Sequence, residues 1–134
     1  MGVIEHTSEP KTVKAEYDFA IDGGAIGTLT LRGISGQGNT VPADSVILGG
    51  YLYVITPPTS GGAGTGAIGI EGAADVVAAA AVSGAPWSTG GNKSVIPVFT
   101  GATSIRTTVA RSLTLAIASA ALTAGKFHVT LVYV

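Results

Sequence analysis

The chain contains no cysteine. That removes a disulfide framework, a thiolate zinc site and a cysteine nucleophile together, so stability must come from packing or from assembly. Charge is scarce as well. Asp, Glu, Lys and Arg make up 11 % of the 134 residues, against about 25 % in an average soluble domain. Aromatic residues amount to 6 %, with a single tryptophan. With seven Lys and Arg in all, the basic and aromatic platform of a nucleic-acid binder is missing. Long apolar runs are interrupted. Residues 45–70 carry no charge, but Pro57, Pro58 and the stretch from Ser60 to Gly66 break any spanning helix there. The most apolar helix-like segment, Val76 to Val82, is far short of the ~20 residues that a span needs. Glu5, His6 and Glu9 stand where a signal peptide would have its apolar core. The expectation is a soluble protein made in the cytoplasm, with no membrane partner.

What the chain does have is apolar residues (46 %) and 20 glycines, with a mean hydropathy of +0.51. Its length suits one domain with one core. An uncharged surface of this kind is often covered by neighbours. The few charges are unevenly spread. Residues 1–75 hold all eight acids and three bases, a net of −5; residues 76–134 hold four bases and no acid, a net of +4. Either the two halves intermix and the field cancels, or the subunit is dipolar and an acidic patch meets a basic patch on another copy.

The pattern is one of strands and turns. Thr12 to Ile21 alternates, with Val13, Ala15, Tyr17, Phe19 and Ile21 on one side and Lys14, Glu16 and Asp18 on the other. Asp22-Gly23-Gly24 supplies a turn, and Ala25 to Ile34 a second strand, so the two form a predicted hairpin. Ser45 to Thr56 is strongly β-forming, bent at Gly49-Gly50 and ended by Pro57-Pro58. Ala67 to Glu71, Val95 to Phe99, Ser104 to Val109, Leu113 to Ala118 and Lys126 to Val134 follow as short strands. Ala73 to Val82, alanine-rich and bracketed by Gly72 and Gly84, is the one predicted helix. In the last strand Phe127, Val129, Leu131 and Tyr133 share one face. His128, Thr130, Val132 and Val134 share the other. With both faces largely apolar, this strand is central or is covered by a partner subunit, which makes Val132 and Val134 candidate interface residues. The fold class is therefore all-β: an antiparallel β-sandwich or jelly-roll-like barrel of about eight short strands with one short helix. Residues 1–11 read as an extended N-terminal arm, with only Val3 and Ile4 able to anchor it, and residues 12–134 as a single β-sandwich domain.

No catalytic, cofactor-binding or metal-binding constellation is legible. His6 and His128 have no HxH or HExxH context. Glu71 and Asp75 stand at the start of the predicted helix, where both complement its dipole; the alternative, a divalent-ion site, has no D-x-D-x-D loop behind it. The glycine-rich stretch to Gly66 lacks the Lys-Ser/Thr of a phosphate loop, and no serine sits in a GxSxG elbow. Trp87, after Pro86, reads as a lid over one end of the sandwich, with a sugar-stacking platform as the alternative. Arg106 and Arg111 are the bases best suited to pair with a partner's carboxylate, because a guanidinium can do so with two parallel bonds.

Several stretches resemble small β-rich virion proteins of tailed bacteriophages, the decoration, cement or minor head proteins. They are Val41-Pro42-Ala43-Asp44-Ser45-Val46-Ile47 leading into Tyr51–Ile55; Thr65 to Glu71 with Ala74-Asp75-Val76; and Ala121-Leu122-Thr123-Ala124-Gly125-Lys126-Phe127. The resemblance runs from Thr12 to Val134. It implies a β-sandwich or jelly-roll subunit, commonly trimeric, seated on a capsid shell. The implied partners are copies of itself and a major capsid protein, the implied location is the virion surface, and no catalytic residue or cofactor is implied. A tail-fibre, receptor-binding or carbohydrate-binding β module is the alternative.

Overall fold

The computed structural model describes residues 9–34, 38–95 and 105–134. Eleven strands and one helical turn lie among them, in the order β1 (Lys11–Asp18), α1 (Phe19–Asp22), β2 (Gly27–Thr30), β3 (Arg32–Gly33), β4 (Thr40–Val41), β5 (Ile47–Ser60), β6 (Thr65–Gly69), β7 (Val77–Ala81), β8 (Gly91–Val95), β9 (Arg111–Ser112), β10 (Thr114–Ala118) and β11 (Leu122–Tyr133). Sheet A has the order β3-β1-β11-β5-β8 and sheet B the order β2-β10-β6-β7, with β4 and β9 forming a small third ladder. All pairings are antiparallel. The architecture is an open two-sheet sandwich, not a closed barrel.

The core follows from alternation. Val13, Ala15 and Tyr17 of β1 stand opposite Leu131, Val129 and Phe127 of β11, and all are buried. Leu52 and Val54 of β5 extend the layer. Ile68, Leu115 and Ile117 close it from sheet B. At its centre Phe127 stacks on Tyr17 and meets Trp87, both at 5.2 Å between ring centroids. Such contacts contribute about 0.5–1.5 kcal/mol beyond area burial. Trp87 is thus part of the core, buried against Gly66. It is not a sugar-stacking platform.

Five sequence expectations need correction. The first strand stops at Asp18, three residues early, because the Asp18 carboxylate accepts the Ala20 N–H at 3.0 Å and caps α1. The strand itself opens at Lys11, one residue inside the predicted arm. The predicted hairpin forms only through β3, which pairs Ala15 with Gly33 and Glu16 with Arg32. β2 crosses to sheet B and pairs with β10. Pro57-Pro58 does not end the long strand. β5 runs on to Ser60, and the ladder with β11 slips in register just there, so the prolines are asked for no regular ladder bond.

The fourth correction concerns Ala73 to Val82, which is not a helix. Val76 N–H donates to Ile68 O and Val82 N–H to Gly64 O, both at 3.0 Å, and β7 pairs with β6 between them. Alanine's helix preference is a few tenths of a kcal/mol per residue. A ladder that also buries Val76 and Val82 against the core outweighs it. Gly69 makes the return possible: a Cβ there would lie 1.8 Å from Gly72 O. Of Ser104 to Val109, the described residues form no regular strand. Arg106 bridges Val46, and Thr107 is buried with its hydroxyl donating to Pro42 O at 2.6 Å. The remainder of Val95 to Phe99 beyond β8, and residues 1–8 with Val3, Ile4 and His6, lie outside the described residues.

Candidate functional site

β11 is central in sheet A, between β1 and β5. Its outward residues Lys126, His128 and Val132 therefore lie half-buried in the middle of the sheet's outer face, with Thr130 buried between them. Register divides that face in two. On the β1 side, Glu16 lies between Arg32 on β3 and His128 on β11. Its carboxylate is 3.3 Å from the Arg32 guanidinium, 3.2 Å from His128 Nε2 and 3.7 Å from Lys126 Nζ. Arg32 also forms two bonds to Asp22, at 2.8 and 3.1 Å, and Lys126 approaches Asp18 at 3.8 Å. Partial burial alone would raise the Glu16 carboxyl. Its hydrogen bond with His128 and the charges of Arg32 and Lys126 outweigh burial and hold it below its ordinary value. Asp22 is likewise raised by burial but lowered on balance by Arg32.

The β5 side of the same face is uncharged and apolar. Tyr51 stands opposite Thr130, Tyr53 opposite His128, and Gly49 opposite Val132. Leu48, Tyr51, Tyr53 and Ile55 are each between 39 % and 45 % exposed. They form one stripe, while Ile47, Leu52 and Val54 on the same strand are buried in the core. Four large apolar side chains in one uncharged stripe make a contiguous patch of the kind that marks an interface, and tyrosine is enriched at such places. Sequence reasoning found Val132 on this face but passed over the β5 stripe. The signal was present, since Leu48–Ile55 is apolar at both parities, as the last strand is.

The arginines behave differently. Arg111 holds Glu71 through two bonds, at 3.0 and 3.1 Å. Glu71 also accepts the Thr108 N–H at 3.1 Å and its hydroxyl at 2.7 Å. These bonds hold the Glu71 carboxyl down at about 2. They tie the β6–β7 loop to the segment before β9, beside a groove of about 390 Å³ whose walls include Thr30, Ile70, Ser112 and Thr114. Asp75 fastens the same loop from within, accepting the N–H groups of Ile70, Glu71 and Gly72 at 2.8–3.1 Å. Glu71 and Asp75 therefore act as loop fasteners, not as partners of a helix dipole. Arg106 is exposed and 3.4 Å from Asp44.

Four of these ion pairs join the acidic first part of the chain to the basic second part: Asp44–Arg106, Glu71–Arg111, Glu16–Lys126 and Asp18–Lys126. The halves intermix, and much of the charge split closes within one chain. Among the described residues, no three His, Asp or Glu side chains come together as a metal ion would need. No helix there is long and apolar enough to cross a membrane.

Neither a protein-family model nor a curated protein matches the sequence. Among solved structures, the chain shares its fold with a chain in the acidic stable capsid structure of Helicobacter pylori bacteriophage KHP30. That match has a TM-score of 0.60 at 13 % identity, over 94 % of this chain and 87 % of that one. It is also similar to a chain in the cyanophage Pam1 capsid asymmetric unit. There the TM-score is 0.59 at 18 % identity, over 99 % of this chain and 91 % of that one. At such identities the likeness is one of fold.

Proposed function

We propose that this chain is a structural protein of a bacteriophage virion, a decoration or cement protein that binds the assembled capsid shell. The observation that carries the reading is the end-to-end fold match to chains in two phage capsid structures, which spans nearly all of each chain. In this reading the subunits form a homotrimer on the capsid surface, and the shell partner is the major capsid protein. The apolar stripe of Leu48, Tyr51, Tyr53 and Ile55 faces that partner, with Val132 and Val134 beside it. Residues 1–11, anchored by Val3 and Ile4, form an arm that reaches a neighbouring chain, and residues 12–134 form the sandwich. Arg106 and Arg111 act at the margins of the contact, each still paired with its own acid.

The work such a protein does is linkage. A subunit that binds the closed shell but not its dispersed parts stabilises the shell by its binding free energy at every occupied position. A sugar-binding module would need aromatic rings around a cleft. Here Trp87 is in the core, and Tyr51 and Tyr53 lie on an open sheet face. The test is mass spectrometry and electron cryomicroscopy of particles from the source that encodes the chain. The expected result is a high-copy protein on the outside of the shell. Particles that lack the chain, or carry it only on a tail, overturn the reading.

A further inference from the structure

The four edges of the two sheets are not alike. Sheet A is bounded by β3, which carries Arg32, and by β8, which carries Lys93. Sheet B is bounded by β2, Gly-Thr-Leu-Thr, and by β7, Val-Ala-Ala-Ala-Ala. Neither has a charge or a proline, and residues 24–31 and 76–92 around them carry no charge at all. An edge strand presents a row of unpaired N–H and C=O groups, which proteins protect with lysine, proline or a cover. Among the described residues, neither edge strand of sheet B carries lysine or proline; β2 is four residues long, and the ladder of β7 with β6 is irregular between Gly66 and Ile68.

The two open edges also differ in relief. Ile26, one residue before β2, is 60 % exposed. Ala78, Ala79 and Ala81 on β7 are exposed and offer only methyl groups. Pairing at a sheet edge is made by backbone groups, so the methyl groups of β7 obstruct no partner, and a closed ring of three needs one edge to meet a different edge.

We infer that β7 of one copy adds to β2 of the next, joining sheet B of neighbouring subunits head to tail. Self-pairing of β7 about a two-fold axis would leave β2 open and permit endless growth. Head-to-tail pairing uses both edges, and a ring that closes leaves none. It also gives a reason for a helix-favouring sequence to be held as an edge strand. The inference rests on the proposed homotrimer and assigns its contact.

The experiment is light scattering after size exclusion on the parent, Ile26→Lys, Ala79→Lys and their equimolar mixture, with thermal melting to show that each variant folds. Both positions are exposed, so the fold should persist. The parent should show three times the 13.2 kDa of one chain. Each variant alone should be monomeric. The mixture should give a species of twice the chain mass, because one intact β7 and one intact β2 remain and nothing further can add. If Ile26→Lys alone is a stable dimer, pairing is two-fold through β7 and the inference is wrong. A parent trimer that survives both substitutions also overturns it while leaving the trimer standing. A monomeric parent overturns the trimer itself and the inference with it.

Discussion

Sheet A and sheet B feed the same core, yet their margins and outer surfaces are built to different ends. Sheet A has the long strands β5 and β11, charged residues on its edge strands, and an outer face split between an ion-paired half and an aromatic stripe. Sheet B has shorter strands with uncharged edges. In a chain with so few ionic groups, their placement is informative. Charge sits where a strand edge must stay single and where surface must stay wet. It is missing from the β5 stripe and from the rims of sheet B, the two places proposed to be covered. Burying such surface on association returns about 25 cal/mol per Å² without the cost of stripping water from an ion.

The largest effect should come where the two sheets cease to be separable. Phe127 is on β11 of sheet A, but it touches Trp87, which packs on Gly66 of β6 in sheet B. Phe127→Ala should cost about 3–5 kcal/mol and lower the unfolding of both sheets together. A urea titration followed by tryptophan fluorescence and far-ultraviolet circular dichroism reads this. Two separated transitions would show that the sheets are energetically independent. A smaller loss, about 1–3 kcal/mol, is expected for Gly69→Ala. The new methyl would drive the Gly72 carbonyl away from β6 and strain the entry to β7. An unchanged urea midpoint would show that the loop can move aside freely.

The next effect separates stability from function. Tyr51→Ser and Tyr53→Ser remove half-exposed rings from the face of sheet A, so each should change stability by less than about 1 kcal/mol. Anchors of an interface typically cost 2 kcal/mol or more when truncated. The double variant should therefore bind shells at least tenfold more weakly in co-sedimentation while melting near the parent. Equal shell binding would move the contact off this face.

Much of this was legible in the sequence, and what was not has physical causes. β1 and β11 were readable because one parity is apolar over many residues, and local alternation is what a half-buried strand imposes. The central place of β11 followed from apolar residues at both parities. The same argument applied to β5 would have exposed the stripe, but its second set, Leu48, Tyr51, Tyr53 and Ile55, reads equally well as core. β7 was illegible because its state is set by a ladder with β6, and alanine composition says nothing about such a partner. The destination of β2 was hidden in the same way: Leu31, buried between β2 and β3, is where the chain leaves one sheet for the other. Arg111 was singled out for its ability to pair with both oxygens of a carboxylate on a partner. That the carboxylate is Glu71, forty residues earlier in the same chain, is a matter of topology alone.

The smallest effect is also the most specific, because it concerns one bond set in the loop that follows β6. Glu71 has its folded pKa held at about 2 by Arg111 and Thr108. In the unfolded chain it titrates near the ordinary glutamate value of about 4.3. A group with a depressed folded pKa contributes stability that is fully present above its unfolded pKa. That contribution declines as pH falls from there through the folded value. The clamp should therefore be intact at neutral pH, weaken below about pH 4.3 and be gone near pH 2. Glu16 and Asp22 are also held below their ordinary values by Arg32 and its neighbours, so sheet A loses stability in acid as well. A melting curve of the parent alone cannot tell the two apart. Glu71→Gln keeps the shape of the side chain but removes the titration. Its melting temperature should lie below the parent's at pH 7, and the gap should close as pH approaches 2. Solvent reaches this pair, so the gap should be modest and should shrink with added salt. A gap that stays constant from pH 7 to pH 2 would mean that Glu71 holds the loop by shape, and that the β6–β7 loop depends on Asp75 instead.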